Sequence, residues 1–140
     1  MLKEPLPVGI DNLPGEAAAA KMAGYRFVTL TCTALDEKHC EILYHFDREL
    51  ELKHLRLTLA AGTAVPSISP IYFAAFLVEN EIQDLFGIRF TGLAVDYDRT
   101  LYGDEKTRIT PFCKYTVVTA HGTGDPSGSQ SPGTRPQEDA

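Results

Sequence analysis

Residues 38–47 alternate with a period of two. Cys40, Ile42, Tyr44 and Phe46 fall on one side, and His39, Glu41, Leu43, His45 and Asp47 on the other. Only an extended strand puts every second side chain on one face, so this stretch predicts a sheet with one dry face and one largely wet face. Its neighbours supply partners. Residues 25–33 are rich in β-branched and aromatic side chains and precede a turn at Asp36-Glu37. A second turn at Arg48-Glu49 leads into residues 50–59, where the apolar set moves from Leu50 and Leu52 to Leu55, Leu57 and Leu59. That change of parity predicts a β-bulge near Lys53-His54. A two-residue loop at Arg48-Glu49 sets Glu41 opposite Arg56 and brings Cys32 near Cys40.

Two helices flank these strands. Residues 14–23 carry Glu16 near the start, Ala17 to Ala20 in the middle and Gly24 past the end, a pattern that favours a short helix packed closely on a flat surface. After a loop at 60–68, Ser69 and Pro70 read as the N-cap and first residue of a helix over 70–86, stopped by Gly87. Ile71, Ala74, Ala75, Val78, Ile82 and Leu85 form its stripe, while Tyr72, Phe73, Phe76 and Leu77 cover much of the rest of its first half. A helix apolar on nearly all sides needs more than one apolar neighbour, its own sheet and a partner protein being the candidates. The predicted fold is α+β, an antiparallel or mixed sheet of three or more strands with two helices on one face and an extended C-terminal arm. The organisation is an N-terminal segment (1–13), the α+β domain with its arm (14–119) and a disordered tail (120–140). The tail has no large apolar residue with which to offset its backbone entropy.

Composition narrows the function. Thirteen Lys+Arg against nineteen Asp+Glu give a net charge of −6 and a pI of about 5.1, without the basic footprint of a nucleic-acid or lipid-surface binder. No apolar run approaches the roughly 20 residues that span a bilayer. The prolines and acid near Met1 do not suit a signal peptide, so a cytoplasmic location is expected. Cys32, Cys40 and Cys113 are sparse, odd in number and without a C-x-x-C spacing, and read as buried or semi-buried thiols. His39, His45 and His54 read as ordinary surface histidines. No cofactor, metal or catalytic set is expected.

The sharpest feature is residues 79–92, Glu-Asn-Glu-Ile-Gln-Asp-Leu-Phe-Gly-Ile-Arg-Phe-Thr-Gly. Glu79, Glu81 and Asp84 sit in the last two turns of a helix, where the macrodipole prefers cations. They read as a solvated face, as groups meeting a cationic partner, or as an acid/base pair of Glu81 and Asp84 in a free-standing enzyme or ligand-binding module. Glu79, Glu81, Asp84, Leu85, Phe86, Gly87, Ile88, Phe90 and Gly92 form a gapless motif that resembles the signature of the 30 kDa subunit family of respiratory complex I. Beyond Gly92 the chain reads Leu-Ala-Val-Asp-Tyr-Asp-Arg-Thr-Leu-Tyr, where respiratory members usually continue His-Pro-Asp-Leu-Arg-Arg. In this it is more similar to the small homologous subunit of membrane-bound energy-converting [NiFe] hydrogenases.

The resemblance implies a non-catalytic structural and assembly subunit of an ion-translocating oxidoreductase complex. It implies docking on a [NiFe] hydrogenase-type large subunit and an iron–sulfur small subunit, peripheral on the inner face of the cell membrane. The equivalent subunit of an NADH/quinone oxidoreductase is the alternative. The expected partner interface is Glu79, Glu81, Asp84, Phe86, Gly87, Arg89, Phe90, Gly92, Tyr97 and Tyr102. By their spacing, Leu101, Ile109, Phe112 and Tyr115 along the arm read either as apolar anchors that extend it or as a strip folded back on the chain's own sheet.

Overall fold

A computed structural model describes residues 3–102. The anchors Ile109, Phe112 and Tyr115, the thiol Cys113 and the 120–140 tail lie outside the described residues. Strands β1 (Leu6–Pro7), β2 (Arg26–Ala34), β3 (His39–Arg48) and β4 (Glu51–Ala60) form a mixed sheet in the order β1-β4-β3-β2. Strand β1 runs parallel to β4, and the others are antiparallel. Helix α1 (Leu13–Met22) precedes β2. Strand β5 (Val65–Pro66), helix α2 (Ala75–Phe86) and strand β6 (Phe90–Thr91) follow β4, and β5 pairs with β6 in a small parallel ladder.

The alternation in β3 does what its period dictates. Cys40, Ile42, Tyr44 and Phe46 are buried in one core with Leu55, Leu57 and Leu59 of β4. Both helices cover that face. Helix α1 contributes Leu13, Ala17 and Ala20, spaced so that small side chains let it lie close, and α2 contributes Ala75 and Ile82. Gly24 follows α1 with φ 86°, the left-handed conformation expected of it. Tyr72 closes the end of the core against Phe46 (ring centroids 5.3 Å) and donates its hydroxyl to the Tyr25 carbonyl at 2.8 Å.

Three local expectations are corrected. The β3–β4 ladder runs without a shift from His39↔Ala60 to Arg48↔Glu51, so there is no bulge near Lys53-His54. The turn residues are Glu49 and Leu50, both at positive φ (48° and 68°), rather than Arg48 and Glu49. Leu50 therefore belongs to the turn, Leu52 lies on the wetter face, and the apparent change of parity disappears. Glu41 faces Thr58 instead of Arg56, yet Arg56 Nε still reaches Glu41 Oε2 diagonally at 3.2 Å. The register shift of the sheet is in β2, between Phe27 and Thr29, where Val28 is the extra residue. Finally, α2 begins at Ala75, not Pro70. Residues 68–74 form successive turns, with both Ile71 and Tyr72 N–H bonded to the Ile68 carbonyl, because the Ser69 side chain is engaged elsewhere.

Candidate functional site

Helix α2 is amphipathic in an unusual sense: its second half buries polar side chains. Glu79, Asn80, Gln83 and Asp84 are all buried. Their spacing (79/83 and 80/84) places them on one stripe of the helix. Buried polar groups are costly without partners, and here the partners are backbone groups of two connecting segments.

Glu79 serves the segment before the helix. Its Oε1 accepts the Ile68 N–H at 2.9 Å, and its Oε2 accepts the Ser67 hydroxyl. Ser67 and Ser69 hydroxyls bond each other at 2.6 Å, and Ser69 Oγ accepts the Ala94 N–H at 2.8 Å. The carboxyl of Glu79 is pushed up to about 7 by burial, against the lowering effect of the Ser67 and Ile68 hydrogen bonds.

The other three polar side chains serve the segment after the helix. Asn80 Nδ2 donates to the Val95 carbonyl (2.8 Å), and its Oδ1 accepts the Tyr97 N–H (2.9 Å). Gln83 Oε1 accepts the Phe90 N–H (3.0 Å), while its Nε2 donates to Asp96 Oδ1 (3.2 Å). Asp84 Oδ2 accepts the Tyr102 N–H at 2.7 Å. Arg99 Nε returns to the Gln83 carbonyl (3.2 Å), supplying a cation and a donor to the exposed end of the helix. Gly87, at φ 70°, turns the chain out of α2 so that residues 90–102 can lie back along it as a strap. Asp98 and Arg99 also take positive φ (47° and 62°), held by the Asp98 N–H bond to Asp96 Oδ1 at 2.8 Å.

This arrangement sorts the expected interface residues. Glu79, Asp84 and Phe90 lie inside the fold; both Glu79 oxygens are hydrogen-bonded within the chain, whereas Asp84 is bonded through Oδ2 and its buried Oδ1 has no hydrogen-bond partner among the described residues. Glu81, Phe86 and Gly87 are half-buried; Arg89, Gly92, Tyr97 and Tyr102 are exposed. Glu81 lines a groove of about 260 Å³ between β2 and α2 with Leu30, Cys32, Val78, Ile82 and Phe86. Asp84 Oδ2 is bonded to the strap, so the two acids have different surroundings. Sequence reasoning missed Asn80, Gln83, Ser67 and Ser69. The available signal was the pair of i,i+4 spacings among polar residues on an otherwise apolar helix.

Alongside the strap runs an aromatic surface. The Phe73 and Phe76 rings lie 4.9 Å apart, and Phe76 is 6.5 Å from Tyr97. Phe73, Leu77 and Tyr102 are 63%, 48% and 67% exposed. Among the described residues there is no group of three or more His, Cys, Asp or Glu that could hold a metal ion, and no helix long and apolar enough to cross a membrane.

The fold and this site define a class: a small α+β domain whose long helix holds a return strap through a buried polar stripe. A similar fold occurs in a chain of the membrane-bound sulfane sulfur reductase, an archaeal respiratory membrane complex. The TM-score is 0.62 and the identity 19%, covering 79% of this chain and 71% of that one. The family model for the 30 kDa subunit of respiratory-chain NADH dehydrogenase matches residues 10–121, and the chain belongs to that family. Two curated relatives are each the C subunit of an NADH-quinone oxidoreductase. The protein of Ruegeria pomeroyi is 36% identical over 74 residues, 48% of this chain and 37% of its own length. That of Azorhizobium caulinodans is 40% identical over 58 residues, 40% of this chain and 28% of its own. The alignments thus span about a third of the curated relatives' length.

Proposed function

We propose that this chain is a non-catalytic accessory subunit of a complex I-like respiratory oxidoreductase. It docks on a large subunit and its iron–sulfur neighbour and is held peripherally on the cytoplasmic side of the membrane. The observation that carries this reading is the division of labour at the family motif. The polar side chains of the stripe hold the segments before and after the helix, which leaves an outer surface of Phe73, Leu77, Arg89, Gly92, Tyr97 and Tyr102 with Glu81 and Phe86 at its flank. Rigid aromatic side chains lose little entropy on burial and serve as interface anchors. Glu79, Asp84 and Phe90 contribute from within, by fixing the shape of that surface.

The names of the curated relatives favour the quinone-reducing form of such a complex. One observation favours the energy-converting [NiFe] hydrogenase form instead: the run from Leu93 to Tyr102 that replaces the respiratory His-Pro-Asp-Leu-Arg-Arg. Mild-detergent purification of the full chain from native membranes, followed by mass spectrometry, tests both. A large subunit with an iron–sulfur partner is expected, and the presence or absence of four nickel-ligating cysteines in it separates the two forms. Recovery of the chain alone would overturn the docking reading. The Tyr97→Ala/Tyr102→Ala double variant should lower co-recovery by at least about 10-fold, the loss expected when a central aromatic anchor is truncated.

A further inference from the structure

The face of the sheet turned away from both helices carries a second cluster. His45 of β3 and His54 of β4 are direct cross-strand partners. Their Nδ1 atoms lie 2.8 Å apart, with ring centroids at 4.9 Å and planes at 76°. Thr31 Oγ1 of β2 sits 2.9 Å from His45 Nε2, so that ring is held from behind by the third strand. Two imidazole nitrogens this close share one proton. The position between them is one where a metal ion can replace that proton.

We propose that His45 and His54 form a two-imidazole site for a first-row divalent transition-metal ion such as Ni(II) or Cu(II), completed by water.

The 2.8 Å separation is that of a hydrogen bond between the two rings, so both nitrogens already lie within reach of one bridging ion. Imidazole nitrogen is a favoured ligand of first-row divalent ions such as Ni(II) and Cu(II). The neighbouring acids are engaged elsewhere: Asp47 is held by Arg26 at 2.6 and 2.9 Å, and Glu41 pairs with Arg56 at 3.2 Å. The Thr31 hydroxyl supplies the outer contact that commonly orients a ligating histidine. Both rings are half-buried on a rigid ladder, which leaves one side open to water.

The test is calorimetric titration of NiCl2 into the tag-free full chain near neutral pH. One Ni(II) per chain is expected, with a rise in melting temperature that follows from binding to the folded form alone. His45→Ala and His54→Ala should each abolish both effects. Thr31→Val should weaken binding by about 10-fold. His39→Ala and His121→Ala should leave it unchanged. If an alanine variant fails to fold, His54→Gln provides the same test with a planar polar group in place. Undiminished Ni(II) binding by the folded His45/His54 double variant would overturn the proposal, as would the absence of Ni(II) binding by the wild-type chain.

Discussion

Glu79→Gln is the most informative perturbation of the buried stripe. The Glu79 carboxyl has an ordinary value of 4.5 and is raised to about 7 in the fold, with burial as the main cause. The unfolded chain releases this proton more readily than the folded chain does. Below about pH 4.5 the group is protonated in both states and its contribution to stability is complete. As the pH rises from 4.5 to about 7 that contribution is lost, at up to about 1.4 kcal/mol per pH unit. Above 7 both states are ionised and the loss is constant, at roughly 3 kcal/mol. His45 acts in the opposite sense. Burial and His54 hold it below its ordinary range, so its contribution is present above about pH 6.5 and declines as the pH falls. The raw pH profile therefore mixes the two, and the difference between wild type and Glu79→Gln isolates the carboxyl. Glutamine resembles the protonated acid in shape and in having both a donor and an acceptor. Urea unfolding followed by circular dichroism from pH 4 to 8 should give nearly equal stabilities at the acid end. The variant should be more stable by roughly 3 kcal/mol at the alkaline end. A difference that stays constant with pH would refute the argument that Glu79 is buried against Ser67 and Ile68.

Three further outcomes are expected. Asn80→Ala removes the bonds to Val95 and Tyr97 and should cost about 2–3 kcal/mol, with hydrogen exchange rising in residues 95–97 before it rises in the sheet. Leu50→Gly relieves a left-handed residue that is 97% exposed in a two-residue hairpin turn, and should stabilise the fold by about 1 kcal/mol in the same urea assay. Tyr44→Phe deletes a buried hydroxyl that has no hydrogen-bond partner among the described residues, and should raise the melting temperature or leave it unchanged, with a gain on the order of 1 kcal/mol.

Much of the sheet was legible because period-two alternation is a direct imprint of burial. The four residues assigned to the dry side of β3 are all at most 1% exposed. Register was harder to read. Leu50 is apolar yet lies in the turn, so counting it as a strand residue produced a bulge that the ladder lacks. The true bulge at Val28 left no mark, because β2 is rich in apolar and β-branched residues on both sides of it. Strand β1 is only Leu6–Pro7, too short to carry a period, and is made by pairing with Leu55 and Arg56. The helix start was misplaced because Ser69-Pro70 has the composition of a cap, whereas tertiary structure gives the Ser69 hydroxyl a better-buried partner in Ala94. The acids at the end of α2 read as outward-facing because carboxylates seldom lie fully buried. Their partners are backbone N–H groups, which no residue pattern announces.

That last point gives the family motif a structural role. Two of the motif's acids, and Gln83 between them, answer a backbone group at a fixed place: Glu79 at Ile68, Gln83 at Phe90, Asp84 at Tyr102. Gly87 supplies the left-handed turn that makes those meetings possible. Changing one member strands a buried donor or acceptor, so these residues depend on one another for stability. On the docking reading proposed above, the surface that a partner meets is formed by neighbouring residues such as Phe73, Tyr97 and Tyr102, whose identities are free to follow the partner. Fold and docking are then carried by different residues of the same segment. It follows that exchanging Phe73, Tyr97 and Tyr102 between family members should transfer partner preference, while exchanging Glu79, Gln83 or Asp84 should change stability alone.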